Sequence, residues 1–136
     1  MKRLLSTACS EVSFNIAVLV IRVACGVLML MNHGIDKLKH FAQLQGHFPN
    51  PIHLGSMPSL MLALFAEVFC TVFLILGLFT RLMAIPVVIN MIVIVFIVNK
   101  GYQTPGHEMA VLYLAGFFSI LLMGPGKYSI DGAMGK

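Results

Sequence analysis

The sequence predicts an all-α membrane protein, a bundle of four transmembrane helices with both termini in the cytoplasm. Hydrophobic residues make up 59% of the 136 positions and charged residues only 10%. Soluble domains carry about 25% charged residues, so water alone would not solvate this surface. The mean hydropathy is +0.94. A chain of this length is expected to form a single domain, here a membrane domain spanning residues 1–136.

Four apolar segments come close to the roughly 17–25 residues that a helix needs to cross a bilayer. Their predicted bounds are 12–32, 57–79, 82–98 and 109–123. Pro58 suits the first turn of the second helix, because the first backbone N–H groups of a helix have no partner within it. Pro125, between two glycines, ends the fourth segment.

The distribution of lysine and arginine predicts the orientation of these segments. With the N-terminus inside, five basic residues lie on the inner side and three on the outer side. The inner set is Lys2, Arg3, Arg81, Lys127 and Lys136, and the outer set is Lys37, Lys39 and Lys100. The bias places both termini in the cytoplasm. The protein is therefore expected in the bacterial cytoplasmic (inner) membrane as a multi-pass protein.

Three predicted spans carry a polar residue near their centre, namely Arg22, Glu67 and Asn90. A charged side chain at the bilayer centre costs about 2.5–3.5 kcal/mol on insertion scales. The shared predicted depth indicates that Arg22 pairs with Glu67 and that Asn90 satisfies their remaining hydrogen-bonding groups.

Helical spacing extends this polar face along the first span, from Asn15 through Arg22 to His33. Two interpretations of the buried groups stay open: a structural clamp that fixes helix register, or a polar socket or proton path for a ligand. Glu108 opens the fourth segment, where a carboxylate is favoured by the helix dipole, and it is a further candidate for the proton path.

The loop after the first span predicts a short interfacial helix, because Ile35, Leu38, Phe41 and Leu44 share an apolar side. Gly46, Pro49, Pro51 and Gly55 are expected to end it. Histidines at 33, 40, 47 and 53 match no compact ligand spacing, so no metal site is predicted. Cys9, Cys25 and Cys70 form no C-x-x-C pair. The sequence shows no haem, flavin or iron–sulfur signature and no basic stripe for nucleic acid.

Five fragments occur in an order that resembles the DoxX family. They are HGIDKL at 33–38, Glu67 within the second span, GLFTR at 77–81, EMAVLYL at 108–114 and GPGKYSID at 124–131. The positions that match the family pattern are His33, Gly34, Lys37, Glu67, Gly77, Thr80, Arg81, Glu108, Gly124, Pro125, Gly126, Ser129 and Asp131. Of these, the glycines, Lys37, Thr80, Arg81, Pro125, Ser129 and Asp131 are interpreted as structural. Thr80 is expected to cap the third helix.

The resemblance implies a four-helix membrane bundle with cytoplasmic termini. Some relatives form the membrane part of thiosulfate:quinone oxidoreductase in archaea, which implies a quinone-interacting subunit of a membrane redox system, working with a partner redox protein. Arg22, Glu67 and His33 are the expected partners of a quinone head group. The alternative is a non-catalytic membrane helper that anchors or assembles a partner protein. A weaker alternative is the handling of a metal or a small solute. The apolar third span could face lipid or a second copy of the chain.

Overall fold

The computed structural model describes residues 2–49, 53–99 and 106–135. Pro51, Lys100 and Lys136, which entered the predictions above, lie outside the described residues. The regular structure within these ranges is helical. The described residues form six helices in chain order: α1 Glu11–Lys39, α2 Phe41–Leu44, α3 Ser56–Leu76, α4 Thr80–Val98, α5 His107–Met123 and α6 Ile130–Ala133.

Three of these helices contain a π-helical segment, in which each backbone N–H bonds five residues back rather than four. The segments are Leu30–Gly34 in α1, Phe65–Cys70 in α3 and Ile94–Val98 in α4. The remaining parts are α-helical: Glu11–Met29 and Ile35–Lys39, Ser56–Leu64 and Thr71–Leu76, and Thr80–Val93.

The first helix is longer than its predicted bounds of 12–32. It continues through Gly34, whose φ of −65° is helical, and ends at Lys39. Most of the predicted interfacial helix is therefore the end of α1, and only the single turn of α2 remains separate. The prediction failed because the polar residues after Met31 were interpreted as the end of the helix. They mark only the end of its apolar part, and the helix continues beyond them.

Helices α1, α3, α4 and α5 pack side by side, with α1 against α3 and α5, and α4 against α3 and α5. The core lies between them around Met29, Leu74, Met91 and Phe117. Small residues set how α1 meets its neighbours. A Cβ atom at Gly34 would lie 2.8 Å from the backbone oxygen of Glu67, so the two helices approach closely there.

The outer surface of the bundle is apolar, as a lipid environment requires. Large hydrophobic side chains are exposed on all four packed helices, among them Val20, Phe69, Ile89 and Leu112. By length and composition α1, α3 and α4 can each cross a membrane, and α5 is apolar but shorter. The chain is thus a membrane protein with at least three helices fit to span a bilayer.

The bundle has two ends that differ in content. The end that holds the start of α1, the 77–79 turn and the C-terminal segment is called the terminal end. The opposite end, which holds α2 and the start of α5, is called the loop end. At the terminal end Gly77 has φ +73°, a left-handed conformation that lets the chain leave α3 and enter α4 after two further residues.

Candidate functional site

Glu67 is bonded to one residue on each of two other helices. Its Oε2 atom lies 2.6 Å from Nζ of Lys37 in α1, and its Oε1 atom accepts a hydrogen bond of 3.1 Å from the Asn90 amide in α4. The side chain of Glu67 is 1% exposed and that of Lys37 is 18% exposed. Lys37, Glu67 and Asn90 are called the Glu67 cluster below. The predicted contact between Glu67 and Asn90 is confirmed.

The predicted pairing of Arg22 with Glu67 is wrong, because the two residues lie at different heights in the bundle. Gly34 meets Glu67, whereas Gly77 lies beside the Arg22 guanidinium. Arg22 precedes Gly34 by twelve residues, a separation of about 18 Å along the helix. The error arose from the assumption that the centres of all apolar segments lie at the same depth in the bilayer. The extension of α1 to Lys39 moves its middle away from Arg22.

Arg22 is buried at the terminal end, where it binds the C-terminal segment. Its guanidinium donates to the backbone oxygen of Pro125 and, at 2.7 Å, to that of Tyr128. The Asp131 carboxylate lies close enough to attract it. Asn15 lies two turns before Arg22 on the same face of α1, and its side-chain oxygen accepts a hydrogen bond of 2.9 Å from the backbone N–H of Lys127. Arg22 therefore joins α1 to the end of the chain and does not contribute to the Glu67 cluster.

The Glu67 cluster is positioned by local backbone geometry. Glu67 and His33 lie within the π-helical segments of α3 and α1, and these two segments pack against each other. A π-helical turn widens the helix and turns the following side chains relative to a regular α-helix. Side chains of α1 also tilt toward its N-terminus, which brings the Lys37 ammonium back toward Glu67. The cluster is about 15 Å from Gly77, near the middle of a bilayer core of about 30 Å.

A cavity of about 640 Å³ lies beside the Glu67 cluster, and all three of its residues line the wall. Most of the remaining wall is apolar, including Met29, Ala63 and Val93. Phe65 and Ile89 line the cavity and are also exposed on the outside of the bundle. These two residues bring one side of the cavity close to the apolar outer surface of α3 and α4, and Phe48, Asn99 and Gly106 line its side at the loop end.

His33 and Tyr113 form a second polar element of the same wall. Their rings meet edge to face, with centroids 5.4 Å apart. Tyr113 projects from α5 and is 5% exposed. Its hydroxyl is buried, and the Asn32 side chain lies close enough to interact with it. The cavity thus has polar groups from α1, α3, α4 and α5.

Comparison with known proteins agrees with this architecture. The profile of the DoxX family matches residues 17–100, more than half of the chain. The chain belongs to the DoxX family. No curated protein and no solved structure matches it significantly. The matched region contains the whole Glu67 cluster and His33, whereas Tyr113 and the GPGKYSID fragment lie beyond it.

Apart from Glu108, the residues of the second half that match the DoxX pattern gather at the terminal end. The Asp131 carboxylate accepts hydrogen bonds of 3.0 Å from the backbone N–H groups of Phe79 and Thr80, and the Asp131 N–H donates to the Gly77 oxygen. Asp131 therefore caps α4, and the expectation that Thr80 supplies the cap is wrong. Thr80 is the first helical residue, and its hydroxyl donates to Asp131 at 3.2 Å.

The rest of the motif shapes the chain around these contacts. Gly124 and Gly126 have positive φ angles of 83° and 73°. The Ser129 hydroxyl donates to the Gly126 oxygen at 2.8 Å. The Arg81 guanidinium lies against Gly124 and donates to the Leu122 oxygen at 3.3 Å.

Three sequence-based assignments change in this DoxX chain. Glu108 is exposed in the first turn of α5 and is absent from the cavity wall. Lys37, interpreted as structural, is a direct partner of Glu67. Its position one helical turn after His33 is the signal that could have placed it on the polar face. Tyr113 was missed because a tyrosine one helical turn inside an apolar span is what the interfacial aromatic belt already explains.

The described residues contain no group of three or more histidine, cysteine or acidic side chains placed to hold a metal ion. His40 bonds back to the Asp36 oxygen at 2.9 Å at the end of α1, which is a local contact. The three cysteines of this DoxX chain are free thiols. The wall of the cavity offers hydrogen bonding and an ion pair within an apolar surface.

Proposed function

We propose that this DoxX protein binds a membrane quinone in the cavity beside the Glu67 cluster and acts as a quinone-interacting subunit of a membrane redox system. The observation that carries the proposal is the combination of an apolar cavity of about 640 Å³ with an ion pair and an amide in its wall. Ligand sites of this size typically join apolar walls with a few placed polar groups.

The position of the cavity supports a lipid-soluble ligand. One side of it lies close to exposed apolar side chains of α3 and α4, which gives a ligand dissolved in the bilayer a short path to the cavity. The charge of Glu67 is compensated by Lys37. A neutral ring with polar substituents therefore meets no uncompensated charge, whereas an anionic lipid would carry an extra charge into an apolar wall.

The proposal includes the arrangement in the membrane. Helix α5 forms a fourth span, and both termini lie in the cytoplasm of a bacterial cell whose inner membrane holds the protein. The Glu67 cluster can hold the ring and exchange a proton with it. A quinone that changes redox state here exchanges electrons with a partner redox protein. We also propose that two copies of the chain can associate through the apolar face of α4.

Solvent extraction of the protein purified in mild detergent, followed by mass spectrometry, tests quinone binding. We expect near-stoichiometric quinone in the parent protein and at least tenfold less in Glu67→Gln, because the amide cannot hold the Lys37 ammonium. Lys39→Met, a change at an exposed lysine of the same helix, is the matched control and should retain the quinone. A parent protein that carries no quinone, even after incubation with added quinone, refutes the proposal.

The second candidate is a non-catalytic helper that anchors or assembles a partner protein. One observation favours it: the Glu67 cluster also ties three helices together, as a purely structural ion pair would. This candidate predicts that Glu67→Gln loses stability whereas the parent binds no quinone. Handling of a metal or small solute stays the third candidate. It predicts a change in metal tolerance when His40, His47 and His53 are replaced together.

The proposed orientation predicts which parts of the chain are reached from outside the cell. In a protein whose three native cysteines have been replaced, Gln45→Cys should react with a membrane-impermeant maleimide in intact cells. A cysteine at Lys127 should react only after the membrane is opened. If both positions were labelled in intact cells, they would lie on the same side of the membrane, which contradicts the proposed arrangement. The reverse pattern would place the termini outside.

A further inference from the structure

His33 is a polar residue of the cavity wall whose ring nitrogens the fold leaves open. It lies in the π-helical segment of α1 that packs against the segment holding Glu67, and it lines the cavity. The side chain is half-buried. Among the described residues, none is hydrogen-bonded to either ring nitrogen of His33, and neither nitrogen is enclosed. The imidazole is therefore available to a ligand.

The polar groups around His33 are already engaged or enclosed. One carboxylate oxygen of Glu67 is bonded to the Lys37 ammonium and the other to the Asn90 amide. The Tyr113 hydroxyl is enclosed. The Lys37 ammonium has further N–H groups, but it can only donate hydrogen bonds. His33 interacts electrostatically with Lys37 and Glu67 without a hydrogen bond to either. It thus adds to the cavity a group that can accept as well as donate.

Packing explains an aromatic ring at position 33 but not its nitrogen atoms. The His33 ring meets the Tyr113 ring edge to face, with centroids 5.4 Å apart. A phenylalanine ring would make the same kind of contact. His33 precedes Lys37 by four residues, about 6 Å of helical rise, and both side chains line the cavity. One small ring can therefore meet both residues at once.

We propose that the His33 imidazole hydrogen-bonds one oxygen of the bound quinone ring while the Lys37 ammonium binds the other, so that the cavity holds the ring in both redox states. The inference rests on the proposed function and deepens it. A quinone oxygen only accepts hydrogen bonds, whereas a hydroquinone hydroxyl also donates. In one tautomer the imidazole nitrogen facing the ring donates to the quinone oxygen, and in the other it accepts from the hydroquinone hydroxyl. His33 is thus a specificity-determining residue of the cavity.

Binding of three probes to purified His33→Phe protein tests the inference. The probes are decylubiquinone, decylubiquinol kept free of air, and decylbenzene, which has no oxygen substituent. We expect decylubiquinone and decylubiquinol each to bind roughly tenfold more weakly to the variant than to the parent, the loss of one hydrogen bond. Decylbenzene should bind both proteins equally, because phenylalanine keeps the ring that packs on Tyr113. His33→Gln, whose amide can donate and accept, should recover most of the lost affinity.

His40→Phe is the matched control, because it makes the same replacement at an exposed histidine that lies 2.9 Å from the Asp36 oxygen. It should bind all three probes like the parent. Equal weakening of all three probes by His33→Phe would show that His33 only shapes the cavity, which overturns the inference. A loss confined to one redox form would overturn it as well.

Two failures are distinguishable. If the parent binds decylubiquinone and His33→Phe binds it equally well, the role of His33 is refuted and quinone binding stands. If the parent binds decylubiquinone no more tightly than decylbenzene, recognition of the ring oxygens is absent and the proposed function fails together with this inference.

Discussion

Replacing Lys37 with methionine should lower the free energy of unfolding by about 3–5 kcal/mol, the usual loss when one partner of a buried ion pair is removed. Glu67 is 1% exposed and, within the part of the chain that the structure describes, would keep the Asn90 amide as its one partner. Methionine retains most of the length and apolar character of lysine, so the change removes mainly the charge. Reversible unfolding in mixed detergent micelles measures the loss.

Lys39→Met is the control for this prediction, because Lys39 is exposed on the same helix. It should change the free energy of unfolding by about 0.5 kcal/mol or less. The double variant Lys37→Met with Glu67→Gln should recover most of the loss, since no charge is then left buried. Equal effects of Lys37→Met and Lys39→Met would show that the ion pair does not stabilise the fold.

Replacing Asp131 with alanine should cost roughly 3 kcal/mol or more, because one carboxylate has two structural roles. It accepts hydrogen bonds from two backbone N–H groups at the start of α4, and it attracts the buried guanidinium of Arg22. Asp131→Asn should lose less, since its amide oxygen can still accept one of these bonds. The measurement is the same unfolding titration.

Glu11→Gln is the control at the terminal end, because Glu11 pairs with Lys127 at a position where both side chains are 68% exposed. An exposed pair of this kind contributes about 0–1 kcal/mol. If Asp131→Ala costs no more than Glu11→Gln, the cap on α4 and the attraction to Arg22 are not important to stability.

Local composition was enough to predict the helical class and the approximate position of each apolar segment. The predicted spans 57–79 and 82–98 overlap α3 and α4 almost completely, because an apolar run needs helical hydrogen bonding wherever lipid replaces water. The contact between Asn90 and Glu67 was also predictable. Both residues lie about ten positions from a tight turn, so two antiparallel helices bring them to the same height.

The partner of Glu67 was not predictable from the depth of apolar runs. Which residue of α1 faces Glu67 depends on how far α1 slides along α3, and this register is set by contacts of Gly26 with Ile75 and of Gly34 with Glu67. Such close approach is a property of two packed surfaces and leaves no periodic signal in either helix. The π-helical segments change the helical phase as well, so a regular period of 3.6 residues misplaces the side chains that follow them.

The contact of Arg22 with Pro125 and Tyr128 also has a consequence for biosynthesis. The ribosome makes the chain from the N-terminus, so the guanidinium is synthesised more than a hundred residues before the two carbonyl groups that accept its hydrogen bonds. Throughout that interval α1 lacks these partners, and α4 lacks its cap until Asp131 has been made. The helices can enter the bilayer one after another. Their final arrangement at the terminal end is complete only when residues 125–131 have been added.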